Sequence, residues 1–278
     1  MRAPGWSLTI VLFAASALVA QQPPAGRPAQ APPAAATPPL NVPANDPQLA
    51  ALLQQWEQRM KAIQSIQADV VRTETDAVVK TQDVFEGTAK FLRPDRADLY
   101  LRKKDNPNAY ERFLLTGNYL YEFVPKQRVV RVHTLPQRAP GQPAVDDNFL
   151  GLLFGMSAQE AQRRYQLELV PKPNDKWYYY LRVKPRLAAD KAEFTEARLV
   201  LFQQTMLPRQ IEFEQPNGNP IKWDIPRIDV NARLGPADFA PPRLDRDWQK
   251  VMVPPPAGAG PVAPAGPPPT KVRQSGGN

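Results

Sequence analysis

The sequence predicts a mainly β protein with flanking helices (α+β). About ten or eleven antiparallel strands are expected to curl into an incomplete barrel, covered by an N-terminal helix and a second helix inserted midway. Three observations carry this. The spacing of apolar residues changes from three-and-four to strict alternation near Gln67. Turn signals, among them Thr116-Gly117-Asn118 and Asn217-Gly218, separate short apolar runs. So many strands in one antiparallel sheet tend to curl rather than lie flat.

The ends of the chain read differently from its middle. Residues 1–20 match a cleavable signal peptide: Arg2, then a largely apolar run over 7–19, then small residues at Ala17 and Ala20. That run is shorter than the roughly 20 residues a bilayer-spanning helix needs, although an uncleaved anchor is the alternative. The expected location is therefore periplasmic or secreted. The chain has no Cys, so neither lipidation at an N-terminal cysteine nor a disulfide framework is expected. Of 34 prolines, nine fall within 21–47 and eight within 254–269. With few apolar side chains to bury, residues 21–45 and 249–278 are expected to be a disordered linker and tail. A single domain is expected over 46–248.

Within that domain, Asp46 is a natural N-cap and Pro47 suits the first helical position. Leu49, Leu52, Leu53, Trp56, Met60, Ile63 and Ile66 follow as one apolar stripe, opposite Gln54, Glu57, Gln58, Lys61 and Gln64. Ala68, Val70, Arg72 and Glu74 then share one face of a first strand. Phe85, Gly87, Ala89 and Phe91 share a face of the second, and Leu99 and Leu101 of the third. Residues 110–115 and 119–124 form a hairpin about Gly117, and 129–135 follow the turn Pro125-Lys126-Gln127. Asp146 or Asp147 can cap the apolar segment 149–154, which Gly155 ends. Ser157-Ala158-Gln159-Glu160 matches a capping box. Strands resume over 165–170, 177–183, 197–203, 209–214 and 221–230, where Pro226 implies an edge strand or a bulge.

Composition excludes several chemistries. Without Cys and with His133 alone, thiol catalysis and multi-His metal sites are ruled out, and any His-paired triad would rest on that one residue. No G-x-S-x-G, P-loop or G-x-G-x-x-G motif is present. Asp146-Asp147 reads as helix capping, and Asp245 and Asp247 as solvated side chains. A two-carboxylate hydrolase stays open, because spatial pairs need not be adjacent in sequence. No catalytic residue, metal or cofactor is expected. The net charge of +8 is compatible with nucleic acid, an anionic membrane surface or a merely solvated surface. Export and the lack of a recognition or stacking motif argue against nucleic acid.

The positive signal is apolar. Phe149-Leu150-Gly151-Leu152-Leu153-Phe154 is hydrophobic on nearly every side, and Trp177-Tyr178-Tyr179-Tyr180-Leu181 places aromatics on both faces of a strand. These fit either an ordinary filled core or a hollow suited to acyl chains. The candidate cavity and lid residues are Leu52, Trp56, Met60, Phe85, Phe91, Leu99, Phe149, Leu150, Leu153, Phe154, Trp177 and Tyr179.

The order of segments resembles the outer-membrane lipoprotein carrier (LolA) family. A helix ending Met60-Lys61-Ala62-Ile63-Gln64-Ser65-Ile66 precedes the strand Gln67-Ala68-Asp69-Val70. Glu86-Gly87-Thr88-Ala89-Lys90-Phe91-Leu92-Arg93-Pro94 is similar to that family's strand ending in Arg-Pro. Leu114 to Pro125 resembles its hairpin, and Pro236-Ala237-Asp238-Phe239-Ala240-Pro241-Pro242 its closing segment. The resemblance spans 48–245 and is narrower to a LolA-like domain of planctomycete secreted proteins. It implies a half-barrel under helical lids, with Arg93 as the residue that latches the lid through backbone carbonyls, a role the five guanidinium donors suit. Thr116 and Asn118 depart from the family's more acidic turn, and the Pro-rich flanks from its compact form.

The expectation is then a soluble periplasmic carrier, chaperone-like, for the acyl chains of lipids or lipoproteins. It is expected to be a monomer, with transient contact with a membrane surface and an envelope protein partner both open to it. The alternative is a non-catalytic envelope structural or interaction protein that uses the same fold and its Pro-rich arms.

Overall fold

The computed structural model describes residues 46–135 and 157–253. Helix α1 (Pro47–Ala62) begins as its sequence requires: Asp46 Oδ1 accepts the Gln48 N–H at 2.9 Å, and Pro47 sits at the first helical position. Leu49, Leu52, Leu53, Trp56 and Met60 form the buried stripe. The helix stops earlier than the apolar spacing predicts. Ile63 is already extended (φ −84°, ψ 122°), and Ile66 belongs to β1 (Ser65–Thr75). Both stay buried because the chain reverses there, so Ile66 joins Ala68 and Val70 on the inward face of the strand.

The meander follows as predicted. β2 (Gln82–Leu92), β3 (Arg96–Lys103), β4 (Asn106–Thr116), β5 (Tyr119–Val124) and β6 (Val129–Thr134) each pair antiparallel with the strand before. Gly117 holds φ +98° at the β4–β5 turn, a conformation the glycine permits. After the undescribed stretch come α2 (Ala158–Arg164), β7 (Tyr165–Leu169), β8 (Tyr178–Pro185) and α3 (Ala188–Glu193). Then come β9 (Glu196–Phe202), β10 (Pro208–Glu214) and β11 (Pro220–Val230). The Ser157 Oγ accepts the Glu160 N–H at 3.1 Å, which is half of the predicted capping box; the Glu160 carboxylate pairs with Arg163 instead.

β11 lies against β1, and β12 (Gln249–Val253) runs parallel to β6. The sheet order is therefore β12-β6-β5-β4-β3-β2-β1-β11-β10-β9-β8-β7. Two meanders stand side by side, and the two edges do not pair, so the barrel is incomplete. The twelfth strand corrects the expected count of ten or eleven. It also corrects the expectation that the ordered domain ends at 248 and residue 249 begins a tail. β6 offers an unpaired row of backbone groups, and Trp248 anchors the arm on Phe123 with ring centroids 6.2 Å apart. Arg128 and Asp247 add an ion pair, and the Gln249 N–H donates to Arg128 O. α3 was not predicted; its six residues carry no side-chain cap.

Pro226 resolves to a bulge. Asp69 faces Arg227 and Val71 faces Asp224, so β11 carries one extra residue there. The β10 ladder ends at Asp224, which leaves Pro226 without a β10 strand to bond.

The sheet bends toward the face that carries α1. Gly87 shares that face with Phe85, and a Cβ on Gly87 would lie 1.8 Å from the Tyr100 carbonyl oxygen. The β3 backbone thus folds over onto the side where a side chain would project, so the helix-covered face is concave. That concave face holds the main core. The reverse face holds a second, small one: Leu114, Phe123, Val130, Val132 and Phe239, under the segment that follows β11.

Candidate functional site

The candidate site is the concave face and the helix lying over it. Leu52, Trp56 and Met60 of α1 and Phe85 and Leu99 of the sheet are buried in one contiguous cluster, with Phe91 and Tyr179 half-buried against it. Seven of the twelve predicted cavity and lid residues are thus brought together. Trp177 is not: it lies just before β8, 61% exposed, because the turn that precedes the strand carries it off the sheet. Phe149, Leu150, Leu153 and Phe154 lie outside the described residues, as do the predicted signal peptide and linker and residues 254–278.

Arg93, at the end of β2, reaches the C-terminal end of α1. Its Nε donates to Ile63 O at 2.8 Å and one terminal nitrogen donates to Met60 O at 3.0 Å. Met60 O also accepts the Ile63 N–H at 3.2 Å, and Ile63 O lies past the end of the helix; a cation there complements the helix dipole. The Arg93-Pro94 peptide is cis.

Two further polar ties hold the same half of α1, and neither was read from the sequence. Arg59 Nε donates to Thr205 O, in the β9–β10 turn, at 3.3 Å. Glu57 Oε2 accepts the Ala158 N–H, the first of α2, at 2.8 Å, while Lys61 binds its other oxygen. The Ala158 N–H first, and Lys61 with it, hold the Glu57 carboxyl below its ordinary range. Their signal in the sequence is faint, because each side chain sits on the polar side of the helix and its partner is more than 100 residues away. Trp56, 3% exposed, buries its indole N–H without a hydrogen-bond partner among the described residues.

One end of the concave face is ionic. Arg72, 8% exposed, places its guanidinium 4.4 Å from the Phe85 ring centroid and 5.5 Å from that of Trp223. It contacts Glu111 at 2.9 Å and Glu74 at 3.0 Å. Lys103 binds Asp83 beside them at 2.7 Å. Burial raises the Glu74 carboxyl above its ordinary range; Arg72 opposes this, and Glu111 and Asp83 add to it. The inward register of Arg72 and Glu74 was legible from alternation with Ala68 and Val70.

His133 Nε2 lies 3.1 Å from Glu122, which also pairs with Arg131. Among the described residues, no group of three or more His, Asp or Glu could hold a metal ion, and no helix is long and apolar enough to cross a membrane.

No protein-family model matches the chain, and no curated protein does. Among solved structures, it is similar to an uncharacterized conserved protein from Thermus thermophilus. The identity is 12% and the TM-score 0.44, over 74% of this chain and 99% of that one. It is also similar to a LolA superfamily protein from Nitrosomonas europaea, with 14% identity and a TM-score of 0.36 over 69% and 97%. A third is the Mycobacterium tuberculosis lipoprotein LppX, with 11% identity and a TM-score of 0.40 over 69% and 99%. At such identities and TM-scores, these likenesses assign neither family membership nor function.

Proposed function

We propose that this chain is an extracytoplasmic carrier, chaperone-like, for the acyl chains of lipids or lipoproteins, with α1 as a removable cover over the concave face. The observation that carries the reading is the way α1 is held. An apolar stripe faces the sheet, and the polar ties from Arg93, Arg59 and Glu57 all grip residues 57–63. Among the described residues, the N-terminal half of the helix rests on the sheet through apolar contact. An acyl chain can replace such contact in kind, at roughly 0.8 kcal/mol per methylene removed from water. The Trp56 N–H, buried with no hydrogen-bond partner among the described residues, makes the covered state less favourable by about 1–3 kcal/mol than a fully satisfied one. The export signal read over residues 1–20 supports the location.

The second reading is a non-catalytic envelope protein with a filled interior. It is favoured by the five α1 side chains already buried on the concave face. Native mass spectrometry of the purified full chain, with titration of a fluorescent fatty acid, separates the two. A carrier co-purifies with lipid or binds the probe with rising emission; a bare mass and no probe response would sink the carrier reading. Arg93→Ala removes the charged hydrogen bonds to Ile63 O and Met60 O, each worth about 1.5–3 kcal/mol. It is expected to speed probe uptake in stopped flow and hydrogen exchange of the α1 amides, with the fold retained.

A further inference from the structure

Trp177 left the predicted cavity and needs another explanation. It stands on a short turn that is held in shape. Asp175 Oδ1 accepts the N–H groups of Trp177 and Tyr178 at 2.8 and 3.2 Å, and the Tyr180 hydroxyl donates to Asp175 Oδ2 at 2.6 Å. The Lys172 ammonium lies 3.7 Å from the Tyr180 ring centroid. Behind the turn, Trp177 O accepts the Gln203 N–H at 2.9 Å. So large an apolar ring, exposed and yet fixed on an ordered turn, is not the by-product of a floppy loop.

Strand direction places this turn usefully. In the antiparallel order, the β7–β8 turn, the β9–β10 turn and the β2–β3 turn with Arg93 fall at one end of the sheet. Gln203 starts the β9–β10 turn, whose Thr205 carbonyl takes the hydrogen bond from Arg59 of α1. Trp177 is therefore two short steps from the helix that covers the concave face.

We propose that the β7–β8 turn is a membrane-docking tip: Trp177 enters the headgroup layer of a bilayer carrying anionic lipids, and Lys172 and Lys176 meet the phosphates. An indole suits that layer because its ring is apolar and its N–H finds polar partners there. Lys172 and Lys176 are both exposed on either side of Asp175, whose carboxylate is taken up by the turn itself. Docking this end brings the tied end of α1 to the lipid surface. The inference rests on the carrier reading for its purpose.

The rival apolar tip, Val78 and Val79 (86% and 65% exposed), lies in the β1–β2 turn at the opposite end. It therefore serves as the control. The full chain is mixed with phosphatidylcholine vesicles, with and without phosphatidylglycerol, and the bound fraction is measured by sedimentation. Binding is expected to need phosphatidylglycerol and to weaken with salt. Trp177→Ala is expected to lower partition roughly tenfold, and Lys172→Gln with Lys176→Gln together about tenfold or more. Brominated lipid should quench tryptophan emission in the full chain and much less in Trp177→Phe. Unchanged partition of Trp177→Ala overturns the proposal. So does loss of binding in Val78→Ser/Val79→Ser instead, or binding of a Pro-rich peptide to the turn without any vesicle partition. Probe uptake without vesicles reports the carrier reading separately. Uptake with no vesicle binding overturns only the docking tip; Trp177-dependent vesicle binding with no uptake upholds the tip and overturns the carrier.

Discussion

A Cβ at position 87 would meet the Tyr100 carbonyl oxygen at 1.8 Å, far inside contact distance. Backbone, unlike a flexible side chain, cannot step aside, so Gly87→Ala must flatten the bend between β2 and β3. The expected cost is about 4 kcal/mol. For a domain of this size that lowers the melting temperature by roughly 8–16 °C, measurable by thermal circular dichroism. Arg164 and Asp190 form a buried two-pronged pair at 2.5 and 2.7 Å, joining the end of α2 to α3. Asp190→Ala removes both carboxylate contacts of this buried guanidinium and is expected to cost about 3–5 kcal/mol in chemical denaturation. The double variant Arg164→Leu/Asp190→Leu should lose less than the single, because the buried guanidinium is then removed together with its carboxylate. Arg72 and Trp177 mark what residue type alone conceals. A charged side chain lies inside and a tryptophan outside, each because of the register and turn that carry it.

Among the elements, α1 holds the functional interest, and its contact with α2 depends on charge. The Glu57 carboxyl, lowered by the Ala158 N–H and Lys61, is ionised more readily folded than unfolded. Its contribution to stability is therefore present above the ordinary value of 4.5 and is lost as pH falls through its lowered folded value. Glu57→Gln is expected to flatten the stability curve across that acid window and leave its shape near neutrality unchanged. Paired urea melts at stepped pH check this. The helix itself, its Asp46 cap and its stripe were legible from local spacing. Its C-terminal end was not, since Met60, Ile63 and Ile66 keep a helical interval through a chain reversal that only the sheet imposes. Arg93 was legible through resemblance, whereas Arg59 and Glu57 find partners that no local pattern announces.

At the scale of the molecule, two antiparallel meanders form one open sheet, with β12 laid along the β6 edge. Val251 and Met252 on β12 stay 44% and 53% exposed, so the strand adds little core. Its effect is to cover a row of backbone donors and acceptors. A chain truncated after Trp248 is expected to melt within a few degrees of the full chain. It should self-associate more with rising concentration, as sedimentation velocity will show.

The sequence by itself determined the α+β class, the two meanders and their hairpins, the inward faces of the strands and the cap of α1. All of these depend on neighbours within a few residues, through alternation, turn chemistry and helical spacing. Only the tertiary structure decided the direction of the bend, the parallel twelfth strand, the ionic end of the concave face and the polar ties on α1. It also decided that Trp177 faces outward. Each of these depends on which distant backbone or side chain comes to lie opposite, and that is fixed by the pairing of the whole sheet.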